Sequence, residues 1–407
     1  MDQQTSTRVG GIDWATDEHA VCVVDETGDI IDEFVVGHTA AGLHQLCRSL
    51  RRHGVGRVAI ERPDGPVVDA LLSDGFEVVV LPSRSVKAFR ERYALSGSKS
   101  DRGDAFVLAD CLRSDGHRWR SLQPDTPATV TLRAHVRARR DLVDARIAVA
   151  NQLRAHLLIN FPAAVGLFSD LDGQTSRRFL RRFTTCDHLD WLTEKRLANW
   201  LRSAGYNTRR APAVLYNHLT AAPDGTRGVE GEARACVTLA YLNVIESIIE
   251  QTTVLEKRMA ELLDRHPDAH IFRSLPRCGT IRAATILAEI GDCRARFPDA
   301  ESLACLAGVA PSTRASGKHR AVTFRWTSNT RLRNALCSLA GDSRNGNDWA
   351  AHRYRQLRAD GKRHPHAERI LARTWSHIIW RCWQDNRPYD PTRHRALQQL
   401  QTAPGLT

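Results

Sequence analysis

Long apolar runs are missing from this chain. Nowhere in its 407 residues do about 18 apolar side chains follow one another, the length a helix needs to cross a bilayer, so no membrane span is expected. The N-terminus, Met-Asp-Gln-Gln-Thr-Ser-Thr-Arg, lacks the apolar stretch of a signal peptide, and a soluble, cytoplasmic protein is expected. Ten cysteines occur, but none forms a C-x-x-C pair and none is grouped with histidine at ligand spacing. That argues against a structural zinc site or a disulfide framework. Lysine is scarce as well. Only six of the 58 basic residues are lysine, a bias that bidentate phosphate contacts and a GC-rich genome would each produce. Gly317-Lys318 is not a nucleotide-binding loop, because no glycine sits five residues before Gly317 and histidine follows the lysine.

Charge is plentiful and unevenly placed. The net charge is +12 and the sequence pI is about 9.5. Residues 1–120 carry 15 Lys+Arg against 19 Asp+Glu, while the remainder carries 43 against 27. An acidic module joined to a basic body suits a protein that does chemistry with the first and grips phosphate backbones with the second. The length allows two or three domains.

Four acids in the acidic module stand out. Asp13 ends the apolar run Val9–Ile12, and Glu61 ends a second run, Arg57–Ile60. Asp101 and Asp104 lie three apart where a helix should begin, so both can face one side. Converging carboxylates repel one another, and a divalent metal relieves that repulsion. The chemistry such a cluster suits is metal-assisted phosphoryl transfer with one or two magnesium-class ions. Taken singly, each acid also reads as a cap or turn residue, and the Asp101/Asp104 pair as an ordinary acidic first turn. Their order, strand-Asp, strand-Glu, then helix-Asp-x-x-Asp, favours the metal reading.

The pattern around these acids predicts strands at Val9–Ile12, Ala20–Val24 and Ile30–Val36, followed by a helix with Leu43, Leu46 and Leu50 on its apolar face. Next come a strand at Val58–Ile60, a helix at Val67–Leu72, a strand at Glu77–Leu81, a helix at Val86–Leu95 and a further helix from Asp101. Three antiparallel strands followed by alternating helix and strand is the RNase H-like plan. Long amphipathic helices are predicted over about 129–160 and 231–265, either as an antiparallel pair within one bundle or as a coiled-coil oligomerisation arm. Ala221–Gly228 reads as a loop. From about His270 the run through Pro276, Gly279 and Gly291 resembles a helix-hairpin-helix element, whose turn would offer backbone N–H groups to phosphate. Ser312–His319 reads as a polar loop, and a helix follows with Arg331 and Arg333 at its start.

Together these residues resemble the DEDD-type insertion-sequence transposases (family one-ten), which carry a RuvC-like N-terminal domain and a separate C-terminal transposase domain. Two blocks carry the resemblance. One is Asp13, Glu61, Asp101 and Asp104 in order and spacing. The other is Pro276-x-x-Gly279, Glu289-Ile-Gly-Asp292, Arg296-Phe297, Ala307-Gly-Val-x-Pro311, Ala315-Ser-Gly317 and Asn329-x-x-Leu-Arg333. Two positions depart from the family pattern. Arg277 stands where the first glycine of a Pro-Gly-x-Gly turn is usual, and 318–326 lacks a glycine expected before Asn329.

The resemblance implies an α/β RuvC-like catalytic domain over 1–120, a long-helix, coiled-coil-like region over 121–268, and a mainly α transposase domain over 269–407. It implies that Ser316 attacks a DNA phosphodiester and leaves a phosphoserine linkage, while the four acids hold Mg2+ or Mn2+. Ser312 and Ser328 are the fallback nucleophiles. Contacts to nucleic acid are expected at Arg277, Gly279, Lys318, Arg325, Arg331 and Arg333. The implied partners are double-stranded DNA, a structured noncoding guide RNA, and further copies of the chain, as dimers pairing into a tetramer near the nucleoid. The competing reading is a RuvC-type junction resolvase or nuclease that uses water and needs no serine. A basic nucleic-acid-binding protein with a decayed RNase H-like domain is disfavoured by the intact tetrad.

Overall fold

Short apolar strand runs give way to helical spacing along the N-terminal third, and the backbone follows them. A computed structural model describes residues 8–93, 100–206, 210–317 and 319–393, apart from the side chains of Arg314, His319 and Arg320. The described chain divides into two compact units, within Met1–Pro124 and Asp125–Thr407.

In the first unit, β1 (Val9–Trp14), β2 (Glu18–Val24) and β3 (Ile30–Gly37) form an antiparallel meander. Helix α1 (Ala40–Arg52) starts at Thr39, whose hydroxyl accepts from the Gly42 N–H at 3.1 Å. It leads to β4 (Arg57–Ile60), parallel to β1; α2 (Pro66–Ser73) then leads to β5 (Glu77–Val80), parallel to β4. The sheet order is β3-β2-β1-β4-β5, the plan expected from the sequence. Helices α3 (Ser83–Tyr93) and α4 (Asp101–Asp115) complete the unit; the expected end of α3 at Ala94 and Leu95 lies outside the described residues.

Strand alternation sorts the sheet's two faces. Ile12, Val58 and Ile60 pack with Leu46, Leu50, Val67 and Leu71 of α1 and α2. Val9, Cys22, Ala59 and Val79 pack with Ala105, Leu108 and Ala109 of α4. The second face permits a very close approach. A Cβ placed on Gly11 would lie 2.2 Å from the Ala105 carbonyl oxygen and 2.4 Å from the Ala109 nitrogen, so only glycine fits there.

The second unit is built on two long helices, α5 (Pro127–Asn160) and, after the short helices α6 (Gln174–Arg182), α7 (Asp187–Asp190), α8 (Glu194–Ser203) and α9 (Pro212–Ala221), α10 (Gly228–Asp264). The long pair is antiparallel. Arg139 meets Glu256 at 2.7 Å, and further along His156 meets Thr238 at 3.1 Å. At one end Leu153, Leu157, Leu242 and Ile245 pack with the short helices, whose pattern the sequence hides because each spans only a few turns. At the other end Leu132, Val136, Met259 and Leu263 join the core of the C-terminal helices. These are α11 (Ala269–Arg273), α12 (Thr280–Ile290), α13 (Ala300–Leu306), α14 (Thr330–Ser343), α15 (Asp348–Ala359) and α16 (His364–Gln384), the last burying Trp375 and Trp383 completely.

One correction concerns 312–319. The predicted loop is a β-hairpin, β6 (Ser312–Ser316) against β7 (His319–Thr323), with Gly317 in its turn. Gly317 has φ +53°, the left-handed geometry that a two-residue hairpin turn needs at a glycine.

A buried carboxylate joins the pieces of this unit. Glu289, near the end of α12 and 5% exposed, accepts from Arg137 of α5 at 3.1 and 3.2 Å and from the side-chain amide of Asn329 at 2.7 Å. Asn329 in turn caps α14 by accepting from the Leu332 N–H at 3.0 Å. Beside it, Asp125 accepts from Arg133, from Arg296 at 2.9 Å and from the Asp292 N–H at 3.0 Å. Burial pushes the Glu289 carboxyl up, but the bonds from Arg137 and Asn329 outweigh it and leave the group below its ordinary value of 4.5. A carboxyl held low in the fold adds stability above the unfolded value and loses it as pH falls through the folded one. Stability of the second unit should therefore drop below about pH 4.5. Glu289→Ala should cost about 3 kcal/mol, the low end for a buried pair because Arg137 keeps 40% of its side chain in solvent. Chemical denaturation at pH 7 and pH 4 checks both; an acid slope equal to wild type in the variant would remove this role.

Candidate functional site

The acidic edge follows from strand register. Ile12 and Ile60 are the last paired residues of the parallel strands β1 and β4, so Asp13 and Glu61 each follow the final pair of the ladder. By alternation Asp13 lies on the α4 side with Gly11, and Glu61 continues the side of Ala59. The direction of α4 brings its acids to the same edge. Its C-terminal end is tied to the start of β4 by Arg57, which donates to the Gly116 carbonyl at 3.2 Å. Its N-terminal end therefore points toward Asp13. Ser100 caps that end by accepting from the Gly103 N–H at 3.1 Å. Asp101, one turn before Ala105, is exposed; Asp104 is only 5% exposed.

All four ligand candidates thus lie at one edge of the first unit, and an all-carboxylate set suits a hard divalent ion. They are not drawn into one coordination sphere: among the described residues no group of three or more His, Cys, Asp or Glu is close enough to hold a metal. Asp104 instead pairs with Arg90 of α3 at 2.6 Å. Next to the acids, the Arg62 guanidinium lies over the Trp14 ring at 4.3 Å. Sequence reasoning missed Arg90 and this pair. Trp14 and Arg62 each follow one of the acids directly, a signal that was available; nothing in the spacing connects Arg90 to Asp104.

In the second unit Ser316 is the last residue of β6, exposed at the hairpin tip and paired with His319. Lys318 lies outside the described residues. Ser312 begins the same strand, and its carbonyl accepts from the Thr323 hydroxyl at 3.2 Å. Ser328 lies beyond the hairpin, its hydroxyl donating to the Trp326 carbonyl at 3.5 Å.

Arg277, Gly279 and Arg331 come together in a cleft of about 580 Å³, where Arg139, Arg140 and Arg282 join them. Gly279 is the N-cap of α12 and has no capping side chain. Arg331 and Arg282 each hold an acid, Asp141 at 3.0 Å and Asp342 at 2.5 Å, so a phosphate there would compete with internal carboxylates. Arg325 and Arg333 are elsewhere. They brace the base of the hairpin, donating to the carbonyls of Pro311 and Arg325 at 3.3 and 3.4 Å.

Comparison with known proteins gives the chain a class. Residues 10–162 match a transposase family model, and 269–355 match the model of the IS116/IS110/IS902 transposase family. The Streptomyces coelicolor protein of the IS117 mini-circle, which is named a transposase, is 32% identical over 97% of this chain and 98% of its own length. The 42 kDa protein of insertion element IS900 from Mycobacterium paratuberculosis is 28% identical over 94% of this chain and 96% of its own. A solved structure, T. thermophilus RuvC in complex with Holliday junction substrate, covers 28% of this chain at 15% identity with a TM-score of 0.23, too low to carry weight. The chain is thus a DNA-recombining enzyme. It belongs to the IS116/IS110/IS902 family of transposases. No helix among the described residues is long and apolar enough to cross a membrane.

The departure at Arg277 has a physical cost. Its φ is +57°, the left-handed region, at the position where the family pattern puts glycine. An L-residue with a Cβ pays about 1–2 kcal/mol there. Arg277→Gly and Arg277→Ala both remove the cation, but only glycine relieves the backbone. The glycine variant should therefore be more stable than the alanine variant by about 1 kcal/mol in denaturant titration. Equal stabilities would mean that the turn is unstrained.

Proposed function

We propose that this transposase cuts and rejoins DNA through a covalent phosphoserine, with Ser316 as nucleophile and with Asp13, Glu61, Asp101 and Asp104 holding Mg2+ or Mn2+. The observation that carries the reading is an exposed serine at the tip of a tight hairpin, inside the stretch that matches the family model. The step balances simply. The Ser316 Oγ–phosphorus bond forms as one phosphodiester P–O bond breaks. The hydroxyl proton passes to a base, and the departing DNA end takes up a proton. The new ester keeps the energy of the old one, so strands can be rejoined without an external cofactor. A serine hydroxyl is a weak nucleophile at its free pKa and needs activation. A bound divalent ion would offset the charge of the acids and orient the phosphate. Arg90 is the counter-charge such an ion would displace from Asp104. The first unit is in this reading an RNase H-like nuclease domain.

Ser316→Ala should abolish strand cleavage and exchange while leaving nucleic-acid affinity nearly intact, because one hydroxyl adds little to many phosphate contacts. Wild-type protein denatured during reaction should carry labelled DNA at this residue by mass spectrometry. Asp13→Asn, which keeps shape and removes charge, should lose exchange in magnesium. Nicking by Ser316→Ala with no adduct would replace the serine mechanism with hydrolysis by water, as in a junction resolvase; an adduct on Ser312 or Ser328 would move the nucleophile.

Target choice by a structured noncoding RNA belongs to the same proposal. Sequence would be read by base pairing and the protein would read backbone and helix shape, for which arginine clefts are suited. The long helices supply the assembly surface. Ile147, Val244 and Val254 are 47%, 47% and 51% exposed. Ile147→Glu with Val244→Glu should reduce the particle size in light scattering. An unchanged size would make α5 and α10 purely internal helices.

A further inference from the structure

The segment after the hairpin carries a surface that the serine chemistry does not use. Trp326 is 81% exposed, among the most open of the large apolar side chains. It does not stand alone. Its ring meets Phe324 edge-on, with centroids 4.9 Å apart and planes at 79°. Phe324 is itself fixed by two cations, since the guanidinium carbons of Arg333 and Arg369 each lie 4.8 Å from its ring centroid. A cleft of about 530 Å³ opens alongside, lined by Phe324 and Arg325 on one side and by Lys362, His366 and Arg369 on the other.

A lone exposed tryptophan is ordinary surface. An open indole held on a cation-braced ring, beside a cleft lined by lysine and arginine, has a more specific chemistry. Every nucleobase has a π-face that stacks on an aromatic ring, and the phosphates on either side of it need cations. Base pairs in a duplex are already stacked and cannot offer that face, so the surface selects unpaired nucleotides.

We propose that Trp326 is a stacking platform for an unpaired nucleotide, with Arg325, Lys362 and Arg369 receiving the flanking phosphates. This rests on reading the second unit as a part of the enzyme that handles nucleic acid, and it is independent of which serine attacks. The ligand class is single-stranded nucleic acid. Either a DNA strand opened at the reaction site or an unpaired stretch of RNA carries the needed chemistry.

The test uses the full-length chain in metal-chelating buffer, where cleavage is stopped, with labelled oligothymidylate, oligouridylate and a DNA duplex as probes. Trp326→Ala should weaken binding of at least one single strand about tenfold, while Trp326→Phe stays within about threefold of wild type. Duplex affinity should move less than about twofold, since it is set by phosphate contacts. Lys362→Gln should lower the salt slope for the single strand by about 0.7, a change Trp326→Ala should not produce. Loss confined to oligothymidylate identifies the strand as DNA, and loss confined to oligouridylate identifies it as RNA. Unchanged single-strand affinity in Trp326→Ala overturns the proposal, and so does an equal loss on the duplex. A shift in particle size without a binding change also overturns it, by assigning the surface to another copy of the chain. Ser316→Ala should bind all probes like wild type, so failure of the nucleophile reading appears in cleavage and failure of the platform in binding.

Discussion

The acidic edge depends on how closely α4 lies on β1. A helix normally rides about 10 Å from a sheet because side chains fill the gap. At Gly11 there is no side chain, and the backbone at Ala105 and Ala109 occupies the space a Cβ would take. Small residues on both partners make this possible. The contact fixes α4 along the strand and in rotation, and Arg57 fixes its direction by holding Gly116 at the opposite end. Once those are set, Asp101 and Asp104 have no freedom to lie anywhere but beside the end of β1. Neither Asp13 nor Glu61 needs a special loop: both extend parallel neighbours by one residue past the last pair.

The two acids of α4 sit in different surroundings. Asp104 is buried and pairs with Arg90 at 2.6 Å. Asp101 stays in water and sits in the first turn of α4, where the helix dipole favours negative charge. Asp101 and Asp104, three residues apart on one helix, are thus accommodated in different ways.

Much of the first unit was legible because its signals are local. Val9–Ile12, Ala20–Val24 and Arg57–Ile60 are short apolar runs bounded by polar turns. The long helices were equally plain, since α5 and α10 sustain their periodicity for many turns. The hairpin at 312–323 was not. Its strands are polar and largely exposed, so the alternation that marks a half-buried strand is absent, and only Gly317 hinted at the turn. Arg90 and the Trp14–Arg62 pair escaped for another reason: contacts between side chains far apart in sequence leave no periodic trace.

The motifs of the second unit divide by what surrounds them. Glu289, Asp292 and Asn329 look like site residues in a sequence, being polar groups in a recurring pattern. Each is committed inside the fold: Glu289 to Arg137 and Asn329, Asp292 to the backbone N–H of Thr126 at 3.0 Å. Polar groups bonded to one another inside the fold serve to fix geometry, because breaking such a bond is expensive. Ser316, Gly279 and Arg277 sit in the same stretch of chain but face solvent or a cleft. A motif therefore has two kinds of member, and the pattern alone cannot separate them. The separation comes from burial: the buried network sets where α12, α14 and the hairpin between α13 and α14 can lie, and the exposed members inherit their positions from it.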